Sequence, residues 1–119
     1  MPHAIETVDL QEFVRLLRNE VNEGINERRA EKREPFFHPI TLVSEKDQQR
    51  PVTCFSRDIS ANNIGLLHFT PIEPGEAVLT IPSKSWGNVD VRSEIVWCRP
   101  CGEGWYLCRA RLVEIIASA

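Results

Sequence analysis

The sequence predicts a mainly β fold, a six-stranded antiparallel barrel preceded by an amphipathic helix. Two observations carry this prediction. Before residue 24, apolar residues recur at three- and four-residue steps, as on one face of a helix. From residue 36 onward, six short runs typical of strands alternate with segments rich in Asp, Asn, Gln, Pro, Gly and Ser. These segments are too short for helical crossovers, so we expect antiparallel pairing, and six short strands close most easily into a small barrel.

The composition is that of one soluble globular domain. Of the 119 residues, 42% are hydrophobic and 26% are charged, which is enough apolar material to bury a core. No apolar run approaches the length of a membrane span, and the amino terminus lacks the pattern of a signal peptide, so we expect a cytoplasmic protein. The net charge of -3 argues against a general binder of nucleic-acid polymers, which needs a broad basic face. Any anion site must therefore be local.

The first element is a helix with a recognisable start. Asp9 is a suitable N-cap, and Glu12 follows at the third helical position. Gly24 is the natural stop, which predicts a helix from residue 10 to about residue 23. Its apolar stripe must cover either the domain's own core or a partner's helix, as in a homodimer paired through this segment. The stripe consists of Leu10, Phe13, Val14, Leu17 and Val21.

The six strands follow in sequence. The predicted runs are residues 36–43, 52–57, 64–69, 76–81, 89–98 and 105–113. Pro39 lies within the first run and indicates an edge position or a bulge, because proline cannot donate to the ladder. Glu103 lies between two glycines, where the last two strands turn back on each other in a hairpin. Trp97 and Trp105 flank this turn, and we expect them to pack rather than to bind a ligand.

No catalytic or metal-binding motif is evident, so we expect that the protein is not an enzyme and holds no metal. The three histidines are isolated, no glycine-rich phosphate loop precedes a helix, and no nucleophile sits in an elbow motif. His68 lies in an apolar run, where a hydrogen-bonded strand histidine is expected. Cys98 and Cys101 have the two-residue gap of zinc and redox sites, but no second pair supplies the remaining ligands.

A basic stretch at residues 28–33 contrasts with the acidic chain. It holds four cations and one anion in six residues. Pro35 keeps the residue before it out of the helical region, so the stretch lies at the junction between the helix and the first strand. Arginine presents a planar fork of donors that suits phosphate oxygens and the O6 and N7 edge of guanine. The spacing of Arg29 and Arg33 lets two forks converge on one anion, and the alternative is a solvated basic linker.

The connection after the second strand is the other polar cluster. Residues 58–65 place a carboxylate, a hydroxyl and two amides in one tight turn. Each of these groups can bond to the backbone or to a ligand. Alone, they are the residues that any turn of this length prefers.

Together, the two segments resemble the signature motifs of the PilZ domain family, whose members bind the bacterial second messenger cyclic di-GMP. The family's first motif is two arginines separated by three residues just before the first strand. It is matched by Arg29 and Arg33, with Arg28 preceding them. The second motif is Asp or Asn, any residue, Ser, two residues and Gly, and it is matched by Asp58 and Ser60.

One position departs from the second motif. Asn63 stands where the family has its glycine, although Gly65 follows where many members also have glycine. Asparagine is the non-glycine residue that best tolerates positive φ, so we expect Asn63 to keep a left-handed turn with its side chain close to the ligand.

The resemblance implies a domain organisation and a set of binding residues. It extends through residues 74–76 and 93–97, so that residues 28–115 form the PilZ-like split barrel. Residues 1–27 are then the helix and its connector, and residues 116–119 are a tail. The implied ligand-binding residues are Arg28, Arg29, Arg33, Asp58, Ser60, Asn63 and Gly65.

The resemblance also assigns roles. Arg29 and Arg33 would serve the phosphates and the O6 and N7 edge of guanine, and Asp58 would accept from guanine N–H groups. Ser60 would orient the turn or bond directly, and Arg28 would stack on a guanine face.

The implied function is that of a receptor for cyclic di-GMP with no further cofactor. Binding would shift the amino-terminal helix, so that an unidentified protein partner meets a changed surface. One alternative is a PilZ-like domain that has lost the ligand and acts as a constitutive protein-interaction module. Another is a small-barrel binder of single-stranded nucleic acid, which the acidic charge and the lack of aromatics interleaved with basic residues oppose.

Overall fold

The computed structural model describes the backbone of residues 10–26, 39–60 and 62–118. This part of the chain holds one helix and six strands. They are α1 (Leu10–Asn26), β1 (Pro39–Ser44), β2 (Asp47–Ser60), β3 (Asn63–His68), β4 (Gly75–Ser83), β5 (Gly87–Gly102) and β6 (Trp105–Ser118). The helix is not long and apolar enough to cross a membrane. The predicted order of one helix followed by six strands is confirmed.

The six strands form a closed antiparallel barrel, as the sequence predicts. The strand order is β1-β2-β3-β6-β5-β4, and β4 pairs back onto β1. Four register shifts interrupt the pairing of β5 with β6, and such bulges bend a long strand pair so that it can wrap around a barrel. Pro39 pairs with Phe55 and lies beyond the end of the β4 pairing, which begins at Thr41, so it has a ladder partner on one side.

Several element ends differ from the sequence-based expectation. The helix continues through Gly24 to Asn26 rather than stopping near residue 23, since glycine within a helix costs only about 1 kcal/mol. β6 reaches Ser118, where we expected a tail from residue 116, because Val89 and Asp90 of β5 offer it backbone partners. The expected residues 36–38 of the first strand lie outside the described residues.

The core fills the barrel and extends to the helix. Along β4 the buried residues alternate with less buried ones, as expected for a strand with one face toward the core. Phe13, Val14 and Leu17 of α1 are buried in the same core, and the ring of Phe13 stacks on Trp86 at a centroid distance of 5.2 Å. Each buried apolar side chain of this size contributes roughly 1.5–3 kcal/mol. The described part of the apolar stripe, from Leu10 to Leu17, therefore covers the domain's own core.

One end of the barrel is covered by α1, and we call it the capped end. Trp86, which touches α1, lies in the turn between β4 and β5, and Asn62, which lies beside α1, is in the turn between β2 and β3. The antiparallel pairing places the start of β1, at Pro39, at this same end. The start of β1 and the turn with the second polar cluster thus lie at the same end of the barrel.

The predicted hairpin between β5 and β6 is present at the opposite end. Glu103 occupies its turn with a φ of 58°, between two glycines that also have positive φ. The flanking tryptophans pack within the chain, as expected. Trp105 lies against Phe69 at a centroid distance of 3.9 Å, and the guanidinium of Arg99 lies 4.3 Å from the ring centre of Trp97.

Candidate functional site

The centre of the candidate site is a row of three residues on adjacent strands. Asp58 of β2 is directly opposite Gly65 of β3, and Gly65 is directly opposite Arg109 of β6. Two strand spacings separate the outer residues by about 10 Å of backbone. Because glycine has no side chain, Arg109 and Asp58 meet above β3, with Arg109 Nη1 donating to Asp58 Oδ1 at 3.3 Å.

The carboxylate of Asp58 is held in place but remains accessible. Its side chain is 51% exposed, against 28% for Arg109. In the described part of the chain, Arg109 is its one hydrogen-bond partner, so most of the acceptor positions of the two carboxylate oxygens are open to solvent. A fixed, half-exposed carboxylate is suited to accept hydrogen bonds from a ligand.

Gly65 leaves room for the carboxylate of Asp58. A Cβ built on this residue would collide with Oδ1 of Asp58. Its φ is not in the left-handed region, so the demand is for space and not for backbone freedom. The glycine that the site needs is therefore at position 65.

A family model of the PilZ domain matches residues 27–117. The chain belongs to the PilZ domain family. The match spans both polar segments identified in the sequence, and it confirms the resemblance drawn from them. PilZ domains are ligand-binding receptor modules, and the family is that of cyclic di-GMP receptors. Searches of curated proteins and of solved structures found no match to the chain.

The prediction of a left-handed backbone at Asn63 in this PilZ domain is wrong. Asn63 begins β3 as an extended residue, paired with Ser60 on one side and with Arg111 on the other. Among the described non-glycine residues, Glu103 alone has a positive φ. Pairing on both sides holds Asn63 extended, and its Nδ2 donates to Oδ1 of the neighbouring Asn62 at 3.3 Å.

The other predicted ligand-binding residues are placed in part. Ser60 ends β2 with its backbone opposite Asn63, two residues from Asp58. Arg28, Arg29 and Arg33 lie outside the described residues. The structure therefore brings together Asp58, Gly65 and the backbone of the turn, and the assignment of the arginines to the site stays a prediction.

Two further residues of the site, Arg109 and Arg111, lie outside both sequence motifs. They are two residues apart on β6, so their side chains share one face, and this alternation is visible in the sequence. Arg111 lies beside Asn63 and donates through Nη2 to Glu94 Oε1 at 2.7 Å. What the alternation alone cannot reveal is that β6 runs beside β3, which is what brings these arginines to the turn.

His68 lies away from the site, toward the far end of β3. It is fully buried, and its Nδ1 lies 2.7 Å from the carbonyl oxygen of Thr70. Its Nε2 has no partner in the described structure. Burial lowers the pKa of His68, and the bond to Thr70 opposes that effect only in part. The expectation of a hydrogen-bonded strand histidine is confirmed.

The four cysteines are free thiols in different environments. Cys54 and Cys108 are buried, Cys98 is partly buried and Cys101 is exposed. Burial raises the pKa of Cys108 to about 12 and raises that of Cys54 as well. Within residues 10–26, 39–60 and 62–118, no group of three or more His, Cys, Asp or Glu side chains is placed to hold a metal ion.

Proposed function

We propose that this PilZ domain is a bacterial cytoplasmic receptor for cyclic di-GMP that performs no catalysis and needs no cofactor. The observation that supports this most strongly is the carboxylate of Asp58, half exposed and fixed above Gly65 by Arg109. Guanine presents N–H donors that a carboxylate of this kind can accept. Asp58 is then the residue that selects the base.

In this proposal, the basic stretch at residues 28–33 binds the phosphates of the ligand. Arg33 precedes Pro39 by six residues, so its Cα lies within about 20 Å of Pro39 along any path of the chain. Phe55 of β2 is the strand partner of Pro39, and Asp58 lies three residues further along β2, a distance of about 10 Å. The connection to Pro39 therefore allows Arg33, and through four more residues Arg29, to reach a ligand that Asp58 holds, with Arg28 and Ser60 as further contacts in the proposal.

The output is a changed position of α1. Because Phe13, Val14 and Leu17 are buried, complete release of the helix would cost roughly 5–9 kcal/mol. A ligand can shift an equilibrium only by its difference in affinity for the two states, and a micromolar ligand has about 8 kcal/mol in total. We therefore propose a tilt or slide of the docked helix, which a protein partner recognises, and not its release.

A second candidate function is a PilZ domain without ligand that serves as a constitutive interaction module. The observation that favours it is Asn63 in place of the motif glycine, since its side chain lies at the surface of the turn, bonded to Asn62. Asn63 would then fill space that a ligand needs.

Calorimetric titration of the full chain with cyclic di-GMP, cyclic di-AMP and GTP separates the two functions. The receptor proposal predicts that cyclic di-GMP binds and that the other two bind much more weakly, because discrimination depends on guanine edges combined with paired phosphates. Equal affinities for all three would refute the receptor proposal, and no binding of any would favour the interaction module.

A further inference from the structure

A groove of about 540 Å³ lies at the capped end, between α1 and the strand β6. This volume is within the range of small-molecule sites, roughly 300–1,000 Å³. Arg15 and Arg18 line it from the helix, Arg111 lines it from β6, and Asn62 lines it from the turn between β2 and β3. The groove is therefore shared between the barrel and the element proposed to move.

The described lining of the groove is cationic. Among the residues that the structure describes, its lining holds three arginines and no Asp or Glu. Arg15 and Arg18 are exposed, and neither forms an ion pair with any residue that the structure describes. They are three apart on α1, so their side chains lie on one face of the helix. In a chain with a net charge of -3, three guanidinium groups along one groove indicate an anion as the occupant.

The third cation, Arg111, forms an ion pair that uses only some of its N–H donors. Arg111 donates to Glu94, and its side chain is 48% exposed. A guanidinium has five N–H groups, so a second acceptor can be bound at the same time. Glu94 fixes the direction of Arg111 without filling the groove.

The floor of the groove suits an organic anion better than a bare ion. Leu10 and Val113 line it, and both are partly exposed. Apolar side chains of this kind offer a surface to a sugar or a base, while the arginines meet the phosphate. Asn62 contributes an amide whose oxygen already accepts from Asn63, so its N–H groups are the part left for a ligand.

The groove lies next to the Asp58 site along β6. Arg109, which bonds to Asp58, and Arg111, which lines the groove, are two residues apart on the same face of β6, roughly 7 Å. We propose that the groove is an additional phosphate-binding part of the same ligand site, in which Arg15, Arg18 and Arg111 bind one of the two phosphates of the guanine dinucleotide while Asp58 binds a base. This inference depends on the proposed receptor function and adds residues of α1 to it.

The consequence is a direct mechanical link. A ligand bound by Asp58 on the barrel and by Arg15 and Arg18 on the helix bridges the two, so that it favours one position of the docked helix over others. The helix is then part of the binding site as well as the output element.

The test is a calorimetric titration of the full chain with cyclic di-GMP at 50 and 200 mM salt. The variant is the double substitution Arg15→Gln with Arg18→Gln. The control is Arg50→Gln, which removes an exposed arginine that pairs with Asp47 at the start of β2, at the opposite end of the barrel. We expect at least tenfold weaker binding and a flatter salt dependence for the double variant, and wild-type values for the control. Melting temperatures should stay within a few degrees, because all three side chains are exposed.

A double variant that binds cyclic di-GMP with wild-type affinity and salt dependence would overturn the groove proposal and leave the receptor function standing. If the wild type does not bind cyclic di-GMP, the receptor function fails, and a second experiment tests independently whether the groove binds an anion. In that experiment, inorganic pyrophosphate is added while the arginine Nε–H signals are followed by NMR. Shifts of Arg15 and Arg18 would establish an anion site, and unchanged spectra at millimolar pyrophosphate would refute it.

Discussion

Replacement of Gly65 by alanine should displace the carboxylate of Asp58, and the structure gives the size of the effect. The added Cβ would collide with Asp58 Oδ1, which is the end of a side chain and can rotate away. Rotation breaks the contact with Arg109, worth about 0.2–1 kcal/mol for a partly exposed pair, and a distorted rotamer costs about 0.5–1.5 kcal/mol. We therefore expect Gly65→Ala to lower the free energy of unfolding by roughly 1–2 kcal/mol.

The assay is a double-mutant cycle read by urea denaturation. In an Asp58→Ala background the colliding oxygen is absent, so the second substitution Gly65→Ala should leave the free energy of unfolding almost unchanged. The predicted coupling free energy between the two positions is about 1 kcal/mol or more. Cyclic di-GMP affinity should fall about tenfold in Gly65→Ala alone, because the carboxylate has moved. Equal destabilisation by Gly65→Ala in both backgrounds would show that β3 itself rejects a side chain at this position, and the account of Gly65 as space for Asp58 would be refuted.

Three further predictions concern the stability of the fold and the reactivity of its thiols. Burial lowers the pKa of His68 below 6.5, so the imidazole binds a proton less readily in the folded state than in the unfolded state. The free energy of unfolding should therefore decline as the pH falls below about 6.5. Equal urea midpoints for the wild type at pH 7.5 and 5.5 would contradict this prediction. Asn63→Gly should lower the free energy of unfolding by roughly 0.5–1 kcal/mol, because Asn63 is an extended strand residue and glycine there relieves no strain; a variant more stable than wild type in denaturation would argue otherwise. Cys101 should react quickly with a thiol reagent at pH 8, whereas Cys54 and Cys108 should react only on unfolding, since burial raises both pKa values; mass spectrometry of the labelled native protein decides this.

The fold was predictable from the sequence because its signals are local. The start of α1 follows from the spacing of Asp9 and Glu12, and its apolar stripe follows the helical period. The hairpin at Glu103 follows from its flanking glycines. Element ends were less accurate. Gly24 continues the helix because one glycine is a modest cost, and β6 extends because β5 supplies a partner.

The site was predictable only where it depends on short motifs. The sequence motif indicates Asp58 and Gly65, but it does not predict that the two residues lie in contact. Arg109 reaches Asp58 because β6 lies beside β3, a pairing between residues more than forty positions apart that no local pattern fixes. The same long-range pairing sets the backbone of Asn63, which local preference for a turn predicted wrongly.

The most direct test of the receptor proposal is a comparison of Asp58→Ala with Arg33→Ala by titration with cyclic di-GMP over a range of salt concentrations. The control is Asp47→Ala, an exposed aspartate at the start of β2, far from the capped end. Circular dichroism and melting curves come first, and all three variants should fold. Asp58→Ala and Arg33→Ala should each bind about tenfold or more weakly, through the loss of charge-assisted hydrogen bonds worth roughly 1.5–3 kcal/mol.

The salt response should then distinguish the two site variants. Arg33 meets an anion, so its loss should flatten the dependence of affinity on ionic strength, whereas Asp58 meets a neutral guanine and its loss should leave that dependence nearly intact. The Asp47→Ala control should match the wild type in both affinity and salt response. Folded Asp58→Ala protein that binds cyclic di-GMP as tightly as the wild type would contradict the assignment of the site.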